Sequence, residues 1–169
     1  CRYGQGRCSS CRGSAFGLDR PLQAADACLC GQCAGPCLEG LDRPHGIATR
    51  CVPDPLGVEF DCSIYIAEEG GVSVYAYDAK NEKAIDRRSL IPLPEGGGHF
   101  TRSLLFMPYP HDKILLVSVG SSCNVCVEAD ERRAAVLAYN VETGVSKLFG
   151  SGLRNAVFMA IHPVTGAIW

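Results

Sequence analysis

The glycine-rich stretch at residues 95–106 contains the residues of this chain best suited to chemistry. Three glycines at 96–98 precede His99, and the apolar residues 104–106 follow. Glycines let a ligand or another backbone approach closely, and an imidazole gains or loses a proton near neutral pH. A titratable side chain at the mouth of a buried strand is common in binding sites. The competing interpretation is a glycine-rich turn with a histidine that faces solvent.

Length and charge limit the classes of function. The chain has 169 residues and a formal net charge of -2, without a basic stripe, so we expect no nucleic-acid partner. No apolar run approaches the ~20 residues that a membrane-spanning helix needs. Because the sequence begins at Cys1 and ends at Trp169 inside an apolar segment, we expect it to be a fragment of a longer protein.

Cysteines are concentrated near the start of the chain, where seven of the eleven precede residue 38. Two Cys-x2-Cys pairs separated by 18 residues have the spacing of a tetrathiolate zinc site, whereas the cysteines around them suit a disulfide-linked secreted segment. The pairs are Cys8–Cys11 and Cys30–Cys33, and the others are Cys1, Cys28 and Cys37. Because residues 1–37 lack strand periodicity, we expect a poorly ordered leader that packs loosely against a domain at 38–169.

The later cysteines form two pairs. Cys51 and Cys62 flank a loop between two predicted strands, which indicates a structural disulfide. Cys123-x2-Cys126 lies on a predicted loop, where a local disulfide or two loop thiols are favoured over a redox dithiol. The mixed charges that follow at 130–133 are typical of a solvated turn.

Short alternating strands separated by turn-forming residues occupy the chain after residue 38, and no segment has a helical period. The predicted strands are 46–48, 64–67, 72–77, 84–91, 104–106, 114–119, 134–139 and 145–149. Pro, Asn, Asp and Gly cluster between them, as turns require. The sequence therefore predicts an all-β fold.

The strand pattern also repeats. The apolar strand at 64–67 recurs 51 positions later at 115–118, and again a further 52 positions on, at 167–169. A four-stranded unit of about fifty residues is the signature of a β-propeller blade. We expect four-stranded sheets near 46–92 and 102–150, and the start of a third at 156–169. Two blades cannot close a ring, which supports the interpretation of the chain as a fragment.

Loops that enter the first strand of each propeller blade gather around the central channel. In this chain those loops carry His45, His99 and the pair Arg154 and Asn155. The repeat alone therefore brings these side chains to one end of one axis. A guanidinium beside an imidazole suits an anionic or quinoid ligand.

Several motifs, taken in order, resemble the soluble quinoprotein sugar dehydrogenases. This is the glucose and sorbosone dehydrogenase family, which includes pyranose dehydrogenase β-propellers and uses pyrroloquinoline quinone (PQQ). The similarity extends from Leu41 to Trp169. Its motifs are Gly-Gly-His-Phe-Thr-Arg-Ser-Leu at 97–104, Val-Ser-Val-Gly-Ser-Ser-Cys-Asn-Val-Cys at 117–126, Arg-Arg-Ala-Ala at 132–135 and Gly-Leu-Arg-Asn at 152–155.

The resemblance implies a six-bladed propeller with the quinone over the channel mouth. It implies that His99 is the catalytic base and that Arg154 and Asn155 bind the cofactor. His45 and Arg102 are further candidates for cofactor binding, and Arg102 has a rim salt bridge as its alternative. A sugar would be the substrate, with hydride transfer to the quinone and calcium ligands outside this chain. The sequence does not distinguish a cytochrome from a quinone as electron acceptor, and we expect an extracellular or periplasmic location.

Two other functions are also compatible with the sequence. The first is a non-catalytic secreted propeller of the same architecture that binds a protein or glycan through its channel face. The second is a calcium-dependent hydrolase of the lactonase type. That reaction needs carboxylates that converge on the channel, and Glu68, Glu69 and Glu95 are poorly placed for it.

Overall fold

The computed structural model describes residues 37–169. The two Cys-x2-Cys pairs and the rest of the predicted leader lie outside the described residues, apart from Cys37. Cys37 is buried and packs against Ile64, Ile66 and Tyr75, and its carbonyl accepts a hydrogen bond from Ala84 N at 3.2 Å. The chain is therefore already packed against the first sheet at residue 37.

Strands are the regular elements of the described residues, and no helix occurs between residues 37 and 169. The strands are β1 (Gly46–Pro53), β2 (Phe60–Glu68), β3 (Gly71–Asp78), β4 (Lys83–Pro92), β5 (Leu104–Phe106), β6 (Ile114–Val119), β7 (Ala135–Asn140) and β8 (Ser146–Ser151). The all-β prediction is confirmed. Within the same residues, no helix is long and apolar enough to cross a membrane.

The eight strands form two four-stranded sheets, in the orders β1-β2-β3-β4 and β5-β6-β7-β8. Within each sheet, every strand is antiparallel to the next along the chain. The predicted sheets at 46–92 and 102–150 are therefore confirmed, with the second sheet spanning 104–151. Side chains that close several turns are those the sequence suggested. Asn140 Oδ1, for example, accepts hydrogen bonds from Glu142 N and Thr143 N at 2.9 and 3.0 Å.

β1 and β2 are longer than predicted, because they continue as a hairpin beyond the buried part of the sheet. Cys51 and Cys62 lie directly opposite each other in this extension and form a disulfide, as predicted. The extension is exposed on both faces, so it has no buried stripe that the sequence pattern could reveal.

The predicted third sheet is only begun. Residues 156–169 contain one bridge, between Ile161 and Ile168, and Ala160 and Trp169 exchange two backbone hydrogen bonds of 2.8 and 2.9 Å. A two-stranded ribbon without a third strand beside it is marginal, and this segment forms a single bridge instead of full strands.

The main core lies between the two sheets. One face of the first sheet packs against one face of the second, and the residues of this cluster are Tyr65, Ala67, Val72, Val74, Ile91, Leu93, Leu115, Val117, Val119, Leu137 and Tyr139. At the edge of the interface Gly46 allows β1 to lie close to the second sheet, because a Cβ on Gly46 would be 2.4 Å from Arg102 O. This packing brings the connector between the sheets, residues 93–103, next to the start of β1.

Candidate functional site

The glycine run lies in the connector and is pressed against the loop that follows β6. Gly98 N donates a hydrogen bond to Ser122 O at 2.7 Å, and His99 N donates to Ser121 O at 3.2 Å. Gly97 has a φ of 95°, and a Cβ there would be 2.7 Å from Ser122 Cα. The close approach that the glycines predicted is therefore made by the protein's own backbone.

The buried side chain of Arg102 stabilises this connector. It has no exposed surface, and its guanidinium donates to Pro94 O at 2.8 Å, Thr101 O at 2.9 Å and His99 O at 3.4 Å. Burial lowers the pKa of Arg102 to about 10, so it remains a cation at neutral pH. Sequence analysis offered Arg102 as a cofactor ligand or as a rim salt bridge. The structure instead places it beneath the site, bonded to backbone carbonyls.

The charged run at 130–133 is only partly the solvated turn that the sequence predicted. Asp130 and Arg132 form an ion pair at 2.6 Å, and Arg132 holds the pKa of Asp130 down to about 2. Arg133, in contrast, is buried, and its guanidinium donates to Glu95 O. The interpretation of Arg133 as a solvated residue is therefore wrong, because the connector supplies a carbonyl that pairs with the buried charge.

Glu69 anchors the first part of the glycine run. Its carboxylate accepts a hydrogen bond from Gly96 N at 2.9 Å and pairs with Arg43 at 2.8 Å. The hydrogen bond from Gly96, together with Arg43, lowers the pKa of Glu69 below its ordinary value of 4.5. Glu69 is partly buried, and sequence analysis assigned it no role beyond being poorly placed for a hydrolase.

This contact predicts an acid-sensitive anchor. Because the pKa of Glu69 is lower in the folded protein, its stabilisation is fully present above pH 4.5 and is lost as the pH falls through the lowered value. We expect Glu69→Gln to lower the urea midpoint at pH 7 and to make it less sensitive to pH below 4.5. The control is Glu39→Gln, on an exposed residue outside the connector. Parallel curves for Glu69→Gln and the unmodified protein would contradict the anchor.

His99 projects from the end of the run and is partly buried. Its Nδ1 lies 2.9 Å from Ser121 Oγ and 3.2 Å from Ser121 O. Ser121 Oγ in turn donates to Cys123 O at 2.6 Å. Within the part of the chain that the structure describes, Nε2 of His99 makes no hydrogen bond, so this nitrogen remains available to a ligand.

Asn155 can lie close to His99 because the residue between them, Gly120, has no side chain. A Cβ on Gly120, at the end of β6, would be 2.5 Å from His99 O and 2.8 Å from Asn155 Oδ1. Asn155 Oδ1 accepts a hydrogen bond from Thr101 Oγ1, which fixes the orientation of the amide. No residue among 37–169 accepts a hydrogen bond from Asn155 Nδ2. The amide therefore retains a free donor at a place that adjoins the backbone and Cβ of His99.

Arg154 is joined to the same place through its backbone. Arg154 O accepts a hydrogen bond from Ser121 N at 2.7 Å, and its exposed guanidinium donates to Asn124 Oδ1 at 2.6 Å. A shallow pocket lined by Arg154, Ser121 and the loop Cys123–Cys126 adjoins it. Only one nitrogen of the guanidinium is committed to a side chain of the described residues, so the others can bind an anion.

The ring of His45 lies next to the ring of Phe100, the residue that follows His99. Their ring centroids are 6.3 Å apart in an edge-to-face arrangement, and the guanidinium of Arg43 lies 5.3 Å from the Phe100 centroid. Burial lowers the pKa of His45, which favours the neutral imidazole. Its Nδ1 is buried without a hydrogen-bond partner among the described residues. Such an atom is costly unless a ligand or water pairs with it.

Cys123 and Cys126 form a disulfide, as one of the favoured interpretations predicted. Together with Glu128 they are the group of three potential metal ligands found in the described residues. The disulfide removes both thiolates, so this group does not offer a soft metal site.

The structure thus brings together four of the residues that the repeat predicted. His99 and Asn155 both lie against Gly120. The backbone of Arg154 is hydrogen-bonded to Ser121, which also contacts His99. The ring of His45 lies against Phe100, the residue that follows His99. Sequence analysis assigned no role to Gly120, Ser121 or Asn124. The only available signal was their place in the motif at 117–126, since their contacts are long-range.

The site is thus carried by an all-β chain of two four-stranded antiparallel sheets. The chain belongs to the TrAA12-like family, whose model matches residues 44–169. The resemblance to quinoprotein sugar dehydrogenases is thereby confirmed. No curated protein matches the chain.

Solved structures show the same fold. The holo form of the PQQ domain of pyranose dehydrogenase from Coprinopsis cinerea is 19% identical, with a TM-score of 0.51 over 74% of this chain. The iodide and calcium structures of Trichoderma reesei carbohydrate-active enzymes family AA12 are 25% and 24% identical, each with a TM-score of 0.54 over 70% of this chain. The chain spans 42%, 31% and 32% of the length of these three proteins.

Proposed function

We propose that this chain is part of a PQQ-dependent oxidoreductase that oxidises a sugar or a sugar aldehyde. The observation that carries the proposal is that His99 and Asn155 both lie against Gly120 and that Ser121 joins His99 to the backbone of Arg154, in a chain of the TrAA12-like family. Relatives named as a pyranose dehydrogenase PQQ domain and as carbohydrate-active enzymes support the choice of cofactor and substrate class.

The proposed architecture is a six-bladed β-propeller, in which the two sheets are successive blades and 156–169 begins a third. Each sheet is an antiparallel meander, and the sheets pack face to face. Two blades are one third of six, in agreement with the 31% and 32% of the AA12 chains that this chain covers. We take 38–169 as the propeller part and 1–37 as a leader whose last residue, Cys37, packs against the first sheet.

The residues at the site fit the proposed cofactor. PQQ is a planar quinone that carries carboxylates, and the guanidinium of Arg154 and the amide of Asn155 are the donors that such oxygens need. His45 supplies a buried Nδ1 that lacks a partner among the described residues. Arg102 does not fit this role, because its guanidinium is buried and donates to backbone carbonyls. We assign no calcium ligand to residues 37–169.

In the proposed mechanism His99 is the general base. Its neutral imidazole accepts the proton of a sugar hydroxyl as the hydride leaves the adjacent carbon. When bound, the quinone supplies the group that accepts the hydride. Arg154 and Asn155 hold the acceptor in place and stabilise negative charge that develops on its oxygens. The connector beneath His99, held by Arg102, keeps the imidazole in a fixed position.

The location and redox partners are also proposals. The disulfides Cys51–Cys62 and Cys123–Cys126 are expected in an oxidising compartment, so we propose an extracellular or periplasmic protein. Electrons would leave to a cytochrome or a quinone. The direct test is to load the full-length protein with PQQ and calcium and to assay a panel of sugars with an artificial acceptor. Absence of PQQ binding and of oxidation with every sugar would overturn the proposal.

One observation favours the alternative of a non-catalytic binding propeller. Leu56, Val58 and Phe60, at the tip of the β1–β2 hairpin, are 83%, 77% and 65% exposed. Exposed apolar groups on a hairpin closed by a disulfide suit contact with another protein. Retained binding of a protein or glycan partner by a full-length protein that oxidises no sugar would favour this function.

Replacing Arg154 tests the cofactor part of the proposal. We expect Arg154→Lys to weaken PQQ binding by about 10-fold or more, because a point charge does not reproduce two parallel hydrogen bonds from a planar fork. Equilibrium dialysis of PQQ against the full-length protein measures this change. The matched control is Arg88→Lys, on the exposed face of β4, which should bind PQQ as the unmodified protein does. Equal affinities for the Arg154 variant and the control would remove Arg154 from the site.

A further inference from the structure

We infer that Ser121 is a positioning residue that fixes the proton of His99 on Nδ1 and thereby directs the basic Nε2 towards the substrate. This inference deepens the proposed function and rests on it for its catalytic consequence. The sequence alone assigned no role to Ser121. The inference follows from the hydrogen bonds around one nitrogen of the His99 imidazole, Nδ1.

The backbone of Ser121 already favours one tautomer of His99. Its carbonyl oxygen lies 3.2 Å from His99 Nδ1, and a carbonyl can only accept a hydrogen bond. If Nδ1 carried a lone pair, two acceptors would face each other in a partly buried place. The carbonyl contact therefore favours a proton on Nδ1.

The hydroxyl of Ser121 lies closer to His99 Nδ1, at 2.9 Å. A hydroxyl carries one hydrogen, and Ser121 Oγ lies 2.6 Å from Cys123 O, which can only accept. The hydroxyl hydrogen is thus committed to Cys123 O, and Oγ presents a lone pair to His99. Both oxygens of Ser121 consequently select the same tautomer.

Ser121 cannot easily adopt another arrangement. It is 4% exposed, its N–H donates to Arg154 O at 2.7 Å, and its carbonyl also accepts from His99 N at 3.2 Å. The loop that supplies Cys123 O is closed by the Cys123–Cys126 disulfide. The hydroxyl is therefore held on both sides, and the imidazole is oriented by a rigid element.

The tautomer has a direct chemical consequence. In neutral histidine one ring nitrogen is a donor and the other an acceptor, and only the acceptor can take a proton from a sugar hydroxyl. A proton on Nδ1 leaves the lone pair on Nε2, the nitrogen that has no partner among residues 37–169. Without the contacts of Ser121, His99 would carry its proton on Nε2 for part of the time. The substrate would still bind, but the imidazole could not accept its proton in that tautomer.

The tautomer itself can be measured without cofactor or sugar. In full-length protein labelled with 15N-histidine, at a pH where the imidazole is neutral, we expect His99 Nδ1 to have a pyrrole-type shift and Nε2 a pyridine-type shift. The signals are assigned by comparison with His99→Ala. In Ser121→Ala, which keeps the carbonyl contact but lacks the hydroxyl, we expect a mixture of the two tautomers. A proton on Nε2 in the unmodified protein would overturn the inference.

The kinetic test uses three substitutions in the PQQ-loaded protein. Ser121→Ala should lower kcat by about 10- to 100-fold, the usual effect of losing an orienting partner, while the sugar KM and the PQQ dissociation constant stay unchanged. Ser121→Thr retains the hydroxyl and should restore both the tautomer and most of the turnover. Ser151→Ala, at the exposed end of β8, is the control and should behave as the unmodified protein.

Failure of this inference is distinguishable from failure of the proposed function. If Ser121→Ala changes neither the tautomer nor kcat, the Ser121 hydroxyl does not position His99 and the inference fails, even when His99 is the base. If the tautomer shifts as expected but His99→Ala retains full turnover, the hydrogen-bond assignment holds and the proposed catalytic role fails. If Ser121→Ala does not fold, the tautomer of the unmodified protein and the Ser121→Thr variant still decide the matter.

Discussion

Replacing His99 with alanine is expected to lower the turnover of the full-length, PQQ-loaded protein by about 10²- to 10⁴-fold, the usual contribution of a general base. The reason is that His99 is the proposed base, since its Nε2 makes no hydrogen bond with the described residues while Ser121 holds Nδ1. The quinone dissociation constant should change little, because the proposed cofactor donors lie on other residues. Steady-state kinetics with a sugar and an artificial acceptor measure the first quantity, and equilibrium dialysis measures the second.

The matched control for this prediction is His111→Ala. His111 lies on an exposed turn between β5 and β6, where its hydrogen bonds with the described residues involve its backbone, so its loss should leave turnover unchanged. Folding of both variants is checked by thermal unfolding, and we expect a small difference since, among the described residues, the His99 ring hydrogen-bonds with Ser121 alone. Full turnover in His99→Ala would assign the base to another residue.

Much of the fold was predictable because burial leaves a period of two in a strand. The run Ile114–Val119 was predicted with its observed bounds, since the interior of a sheet dictates apolar residues there. The outer halves of β1 and β2 were not predicted. Their side chains face solvent on both faces, and what pairs the strands there is a disulfide and backbone hydrogen bonds, which do not depend on a hydrophobic pattern.

The candidate site was predictable to the extent that the repeat determines it. Repetition of a four-stranded unit places His45, His99 and Asn155 at equivalent positions, and the structure brings the latter two together at Gly120. The environment of Arg102 was not predictable. Whether an arginine binds a ligand or is buried depends on which carbonyls lie within reach, and those of Pro94 and His99 become available only when the connector has folded.

The second large effect on turnover is expected from a substitution of Gly120. Replacing it with alanine should reduce turnover by about 10²-fold or more, because the new methyl group would occupy the space between His99 and Asn155. An alanine Cβ would lie 2.5 Å from His99 O and 2.7 Å from His99 Cβ, distances at which atoms must move apart. A displacement of about 1 Å in a reacting group is sufficient for such a loss.

The same substitution should also destabilise the protein, by about 1–3 kcal/mol, as over-packing of a buried place usually does. Gly120 does not have a positive φ, so the cost arises from the contacts and not from the backbone conformation. Gly150→Ala is the matched control, because it lies in β8 with its nearest neighbour, Leu153 Cδ1, at 3.9 Å, an ordinary contact. Urea unfolding and kcat, measured for both variants in the full-length protein, separate the two effects. Unchanged turnover in Gly120→Ala, despite the contact with His99, would show that the spacing of His99 and Asn155 does not matter to the reaction.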